Sequence, residues 1–344
     1  MEQKLAFASD YMKGAHPRII QRFTETNMDA TPGYGTDEIT EAARNRIRKA
    51  CRLETACVEF LMGGTQTNAV MIDAFLRPYQ GVIAADSGHI SLHEAGAIEA
   101  GGHKVLTLPH EQGKITAETL QAYLEIFYLD ENHTHMVMPG LVYISQPTEY
   151  GTLYSLSELT AVREVCDSFN IPLYVDGARL AYALATEGND VTLPALAGLC
   201  DAFYIGGTKC GALFGEAVVI PDPDRFPHLF TLIKQHGALL AKGRMLGLQF
   251  DELFTNDLYT EIGRHAVKAA DRIRTAMAEK GYWLCIDSPT NQIFPVLENG
   301  RLKEFGERVA YSFWEKAGDT HTVIRLATDW GTTEEEVDAL IALL

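Results

Sequence analysis

The middle of the chain alternates two textures, and this alternation restricts the fold more than any other feature. Short runs of β-branched and aromatic residues at 56–62, 82–85, 105–108, 141–145, 173–176, 202–205 and 217–220 read as buried strands. Between many of them apolar residues recur at helical spacing, over 38–51, 65–76, 92–100, 117–126 and 156–169. In the first of these, Ile39, Ala42, Ala43, Ile47 and Ala50 share one helix face. Strands separated by helices are joined by crossovers rather than hairpins. The expected fold is therefore α/β, a mainly parallel sheet with helices on both faces.

After residue 250 the texture changes. A long helical pattern at 259–280 precedes strand-like runs at 283–286, 291–296 and 323–327 and a last helix at 334–343. These elements fit a smaller α+β layer, and Pro221, Pro223 and Pro227 interrupt the chain after the last strand of the large sheet. The expected organisation is an N-terminal segment 1–20 packing near the small domain and the active site, a large domain 21–250 and a small domain 251–344.

Charge narrows the partners. Against 29 basic side chains stand 46 acidic ones, a net charge of −17 over 344 residues. No basic excess exists to replace the counterions of a nucleic acid, although a small anion can still be held in a locally positive pocket. No run approaches the ~18 apolar residues of a membrane span. Glu2, Lys4, Asp10 and Lys13 interrupt any signal-peptide core, and the six cysteines form no CxxC pair. The expectation is a cytoplasmic protein with reduced thiols and no membrane or nucleic-acid partner.

Four segments carry chemistry. Residues 205–212 run from a strand through Gly206 and Gly207 to Thr208 and Lys209. A lysine among small, partly apolar neighbours loses ammonium stabilisation, so its amine becomes nucleophilic and suited to imine formation. The plain alternative is a solvated lysine on a glycine turn. At 173–180 an apolar strand ends in Asp176, at the sheet edge where ligands of open α/β folds bind. A carboxylate there can keep a heteroaromatic nitrogen protonated, or merely cap the next helix. Arg179 could hold a carboxylate or pair with Asp176.

Residues 62–69 place Gly63, Gly64, Thr65 and Gln66 between strand and helix, a cradle for phosphate or simply a capped turn. It is neither a Walker loop nor a dinucleotide fingerprint. In 86–96, His89 follows a strand and could lie over a flat cofactor. His89 and His93 are one helical turn apart but lack a third ligand nearby, so no metal is expected. Phosphate cradle, stacking ring, pyridinium partner and imine lysine are together what pyridoxal 5′-phosphate (PLP) requires.

On these residues the chain resembles the fold-type-I PLP enzymes, and within them the L-threonine aldolase (β-eliminating lyase) family. The likeness runs from Phe7-Ala8-Ser9-Asp10 to Ile324-Arg325-Leu326. It implies that Lys209, after Thr208 in the motif Gly206-Gly207-Thr208-Lys209, is the PLP lysine. It further implies that Asp176 holds the pyridine nitrogen and Arg179 the substrate carboxylate. Gly64 and Thr65 would bind the phosphate, and His89, with Glu94 and Gly96, would stack on the ring. Ser9 and Arg325 match the remaining carboxylate binders. Tyr34-Gly35 matches an element that the family sends across a dimer interface toward the substrate. Lys234 and Lys242 fall near the place where the family brings basic residues to the phosphate.

The activity implied is retro-aldol cleavage of L-threonine, L-allo-threonine or related β-hydroxy-α-amino acids to glycine and an aldehyde. The implied assembly is a homo-oligomer, at least a dimer and by family habit a tetramer. A PLP β-eliminating lyase, an aminotransferase on a small amino acid and a PLP-binding protein without turnover are the competing readings. One departure stands out. Members often carry Glu-Asn-Thr-His-Asn where this chain has Ser145-Gln146-Pro147-Thr148-Glu149, with Thr148 in the histidine's place. The hydroxyl base is left among His89, His93 and a water near Thr148 and Glu149.

Overall fold

The computed structural model describes residues 4–344. Its strands are β1 (Leu5–Ala6), β2 (Cys57–Leu61), β3 (Gln80–Ala85), β4 (Lys104–Leu108), β5 (Met138–Ser145), β6 (Leu173–Asp176), β7 (Ala202–Gly206) and β8 (Glu216–Ile220). Five short ones follow: β9 (Gln292–Ile293), β10 (Val296–Glu298), β11 (Val309–Ala310), β12 (Ser312–Ala317) and β13 (His321–Ala327). The large sheet has the order β2-β8-β7-β6-β5-β3-β4. Neighbours pair in parallel except at β8, which runs antiparallel to both β2 and β7. The mainly parallel α/β sheet expected from the sequence is present.

Both faces of this sheet are covered, which is why its strands are apolar throughout. Side chains alternate along each strand. Val142, Ile144, Val175 and Phe203 enter one core with the helices Glu38–Ala50, Leu156–Ser168 and Arg244–Leu253. Leu141, Tyr143, Tyr174 and Tyr204 enter the other with the helix Gly64–Phe75. The three tyrosines converge near the carboxyl end of β6, where Asp176 sits.

The C-terminal layer is a sheet of order β10-β13-β12, with β9 also paired to β13. β1 pairs in parallel with β11, and the Ala327 N–H donates to the Phe7 carbonyl at 2.8 Å, so the first described residues belong to this layer. The helix Leu258–Glu279 ties the layers together. Ile262, Ala266 and Val267 are buried in the large core, whereas Ala270, Ile273 and Met277 are buried in the small one.

Some elements differ from expectation. The helix expected over 92–100 is two short ones, His89–Leu92 and Ala97–Ala100, because Ala95 and Gly96 adopt left-handed φ of 52° and 71°. At 283–286 there is no strand, only a bridge between Leu284 and Pro295. The expected strand 291–296 divides into β9 and β10 around Pro295, which has no N–H to give to a ladder. The helices Pro17–Thr26, Leu180–Ala185 and Arg244–Leu253 escaped the periodicity reading.

Candidate active site

The carboxyl ends of β2, β3, β5, β6 and β7 lie at one edge of the large sheet. Two connected chambers open there. The inner one, about 240 Å³, is lined by Gly64, Thr65, His89, Ser145, Asp176, Thr208, Lys209 and Glu216, among others. The outer one, about 610 Å³, adds His93, Tyr150, Trp314 and Arg325. Tyr11, His89, Glu149, Arg179 and Lys209 line both.

Lys209 sits on a loop with little freedom. The Gly207 N–H donates to the Gly215 carbonyl at 3.0 Å, and the Gly215 N–H to Thr208 Oγ1 at 3.0 Å. The Tyr259 hydroxyl donates to the Gly206 carbonyl at 2.9 Å, and the Tyr182 hydroxyl donates to the carbonyl of Lys209 itself. A Cβ at Gly206 would overlap the Ala178 carbonyl, so only glycine lets β7 end this close to the Asp176 loop. Burial and the Arg179 charge pull the Lys209 ammonium below its usual range, against the opposing pull of Asp10, Asp176 and Glu216.

Asp176 accepts from the Tyr143 hydroxyl at 2.6 Å, the Asn68 amide at 3.2 Å and the Ala178 N–H at 2.9 Å. Burial alone would raise its pKa; the His89 charge and the donated hydrogen bonds outweigh that and hold it below the usual carboxylate range. Among the described residues it has no ion-pair partner. A buried carboxylate whose hydrogen-bond donors are all neutral, with the His89 ring beside it, faces the chamber ready for a cation. His89 stands beside it, oriented by the contact of its Nδ1 with Glu94 Oε1 at 2.8 Å.

The end expected to cradle a phosphate is a helix terminus. The helix Gly64–Phe75 is capped by Gly63 without a side-chain bond. Its first backbone hydrogen bond comes from the Thr67 N–H, so the N–H groups of Gly64, Thr65 and Gln66 have no backbone acceptor. A Cβ on Gly64 would sit 3.2 Å from the Tyr204 hydroxyl, narrowing the cradle. The Gln66 side chain accepts from the Met62 N–H through Oε1 at 3.3 Å, so its donor to this end is the backbone N–H.

At the other end stand Ser9, Arg179 and Arg325. Arg179 does not pair with Asp176. Its Nε donates to Asp10 at 2.6 Å and a terminal nitrogen donates to the same carboxylate at 3.0 Å. Arg325 donates to the Gln292 side chain, the Ala8 carbonyl and Ser312 Oγ at 3.3–3.4 Å, all neutral, and its buried Nε has no partner. The buried Ser9 hydroxyl is likewise without a partner. A guanidinium that lacks an anion and lines the outer chamber suits an incoming carboxylate, whereas Ser9 lines neither chamber.

The Asp10–Arg179 pair also supports the fold. Burial opposes ionisation of Asp10, but the charges of Arg179 and Lys209 and hydrogen bonds from Arg179 and Asn291 lower it from 3.8 to about 2. A folded-state pKa below the unfolded value means stability fully present above 3.8 and lost as pH falls toward 2. Asp10→Asn strands a buried guanidinium and is expected to cost about 3–5 kcal/mol, read from denaturant unfolding at neutral pH.

Some residues picked out in the sequence lie elsewhere. Tyr34 is exposed, with left-handed φ of 59°, and lines a separate surface cleft, with the Lys234 ammonium 5.0 Å from its ring. Lys234 and Lys242 are exposed and line neither chamber. Conversely, Glu216 was missed as a site residue. Because β8 runs against its neighbours, its first residue lies at the edge where they end, opposite Gly206 and Leu61. Burial pushes the Glu216 carboxyl up to about 8, so near neutral pH it retains its proton. A glutamate opening an otherwise apolar strand was the available signal.

The donors suit PLP along the whole chamber: free helix N–H groups for phosphate, Lys209 for the aldehyde carbon, Asp176 for the ring nitrogen. No group of three or more His, Cys, Asp or Glu is placed to hold a metal among the described residues. A family model described as beta-eliminating lyase matches residues 6–287. The chain belongs to the beta-eliminating lyase family. It is 30% identical to the low specificity L-threonine aldolase of Pseudomonas aeruginosa, over 97% of this chain and 95% of that one. A namesake from another Pseudomonas strain is 29% identical over 99% and 97%. Among solved structures, Leishmania major threonine aldolase matches with a TM-score of 0.94 and 40% identity, covering 98% of both chains. Thermus thermophilus aspartate aminotransferase, at 15% identity and a TM-score of 0.69 over 98% and 90%, shares the fold-type-I architecture of this family member.

Proposed function

We propose that this chain is a PLP-dependent L-threonine aldolase, cleaving L-threonine, L-allo-threonine or related β-hydroxy-α-amino acids to glycine and an aldehyde. The observation that carries the reading is a single cavity joining three unmatched groups. These are a lysine with a weakened ammonium, a carboxylate lacking a cation and a guanidinium lacking an anion.

When bound, PLP supplies a protonated pyridine ring that draws in the electron pair left on Cα as a bond to it breaks. Asp176 holds the proton on that nitrogen, and its lowered pKa keeps it ionised for the task. Lys209 would hold the cofactor through its amine and is placed to deliver a proton to Cα. His89 would lie against the ring, while Gly64, Thr65 and Thr208 would hold the phosphate. Arg325, with the chamber side of Arg179, grips the substrate carboxylate and so sets which bond to Cα stands across the ring plane. Arg325→Leu is expected to raise KM for L-threonine about 10- to 100-fold with a smaller change in kcat, read from steady-state kinetics.

The direct test is product analysis of the PLP-loaded protein with L-allo-threonine. Equimolar glycine and acetaldehyde are expected. Oxobutanoate with ammonia would make the chain an eliminating lyase instead.

Tyr34, exposed in the single chain, is assigned to a subunit interface of a homo-oligomer, at least a dimer and by family habit a tetramer. All six cysteines are free thiols, and no described helix is long and apolar enough to cross a membrane; these support a cytoplasmic setting. The division 1–20, 21–250 and 251–344 is kept as the domain assignment, supported by the pairing of β1 with β11 in the C-terminal layer, with the helix Arg244–Leu253 and its large-core residues running across the second boundary.

A further inference from the structure

Thr148 stands where the family resemblance places a histidine, and its surroundings remove it from the chemistry. Its Oγ1 lies 2.6 Å from Thr152 Oγ1 and accepts from the Tyr150 N–H at 3.2 Å, on the side of the loop that faces the Gln112 carbonyl. It lines neither chamber. Glu149 points the other way. It is the one carboxylate, among the described residues, that lines both chambers. Its Oε1 accepts from Ser145 Oγ and from the His89 N–H, each at 2.9 Å. The second carboxylate oxygen has no hydrogen-bond partner in the chain and is not sealed from the cavity.

Resting on the aldolase reading, we propose that Glu149 is the base that takes the β-hydroxyl proton of the substrate. With the carboxylate held at Arg325 and Cα beside Lys209, the β-carbon falls at the junction of the chambers and its substituent extends into the outer one. There the free oxygen of Glu149 meets the hydroxyl. The O–H bond breaks as its proton passes to Glu149, and that electron pair becomes the second bond of the aldehyde carbonyl. The Cα–Cβ pair stays on Cα, which takes one proton from Lys209 to give glycine. One proton passed from Glu149 back to the lysine amine, through water, resets both groups.

The histidines are less well placed. His89 is held through Nδ1 by Glu94 and is the side chain assigned to the cofactor ring, with Nε2 left free. His93 is exposed, lines only the outer chamber and makes no side-chain hydrogen bond that would fix its ring. Burial and the Asp176 charge strengthen the hold of Glu149 on a proton, as a base requires.

The test compares two reactions of the PLP-loaded enzyme. Cleavage of L-allo-threonine needs a hydroxyl base; exchange of the glycine α-proton in deuterium oxide, followed by NMR, needs Lys209 and the Asp176-supported ring but no hydroxyl base. Glu149→Gln is expected to lose cleavage by about a hundredfold or more while exchange stays within about threefold. Cleavage within about threefold of wild type, or loss of both reactions in step, overturns the proposal. A wild-type enzyme that exchanges glycine yet never releases acetaldehyde would overturn the aldolase reading instead.

Discussion

Lys209→Ala is expected to abolish covalent attachment of PLP and to lower threonine cleavage by at least about a thousandfold. Imine formation needs an amine, and among the described residues no other lysine lines either chamber. The fold is expected to survive. The loop of Lys209 is held through the backbone of Gly206, Gly207 and Gly215 and by the Tyr182 and Tyr259 hydroxyls. Asp10 keeps Arg179 as its partner. Reduction of the loaded protein with borohydride, followed by denaturation, checks the attachment. Wild type should retain cofactor and the variant should release it; a variant cleaving threonine at full rate would remove Lys209 from the mechanism.

Asp176→Asn is expected to be nearly as damaging, lowering cleavage by about a thousandfold. The substitution keeps the shape and an acceptor for Tyr143, but removes the charge that holds a proton on the pyridine nitrogen. Electron withdrawal from Cα then fails, so glycine α-proton exchange should fall along with cleavage. That parallel loss separates this residue from Glu149, whose replacement should spare exchange. Because the wild-type carboxyl is held below its usual range, it stays ionised from mildly acidic pH upward. Acidification to pH 6 should therefore not reproduce the variant's defect. Measured exchange at wild-type rate in Asp176→Asn would show that the pyridine proton is held by another group.

The order of strands and helices was legible because a sheet covered on both faces needs continuous apolar strands, and these differ in length and period from the helices between them. The helix break at Ala95 and Gly96 was less legible. Glycine can stop a helix or sit within one, and the packing around it decides. Single site residues were readable where local geometry demands the residue type. Asp176 ends an apolar strand where only function or capping explains a charge, whereas the need for glycine at 206 comes from the Ala178 carbonyl across the sheet.

What the sequence by itself determined was the α/β scaffold, the glycine-flanked lysine and the strand-end carboxylate, since each is marked by residue types in one short stretch of chain. Only the tertiary structure decided which charges are matched. Arg179 is engaged by Asp10 from the N-terminal segment, Arg325 is left without an anion, and Glu216 reaches the site because β8 runs backwards. It also turned Thr148 away from the cavity and Glu149 toward it. Charge matching depends on distance in space and on shared burial, and neither is encoded by spacing along the chain.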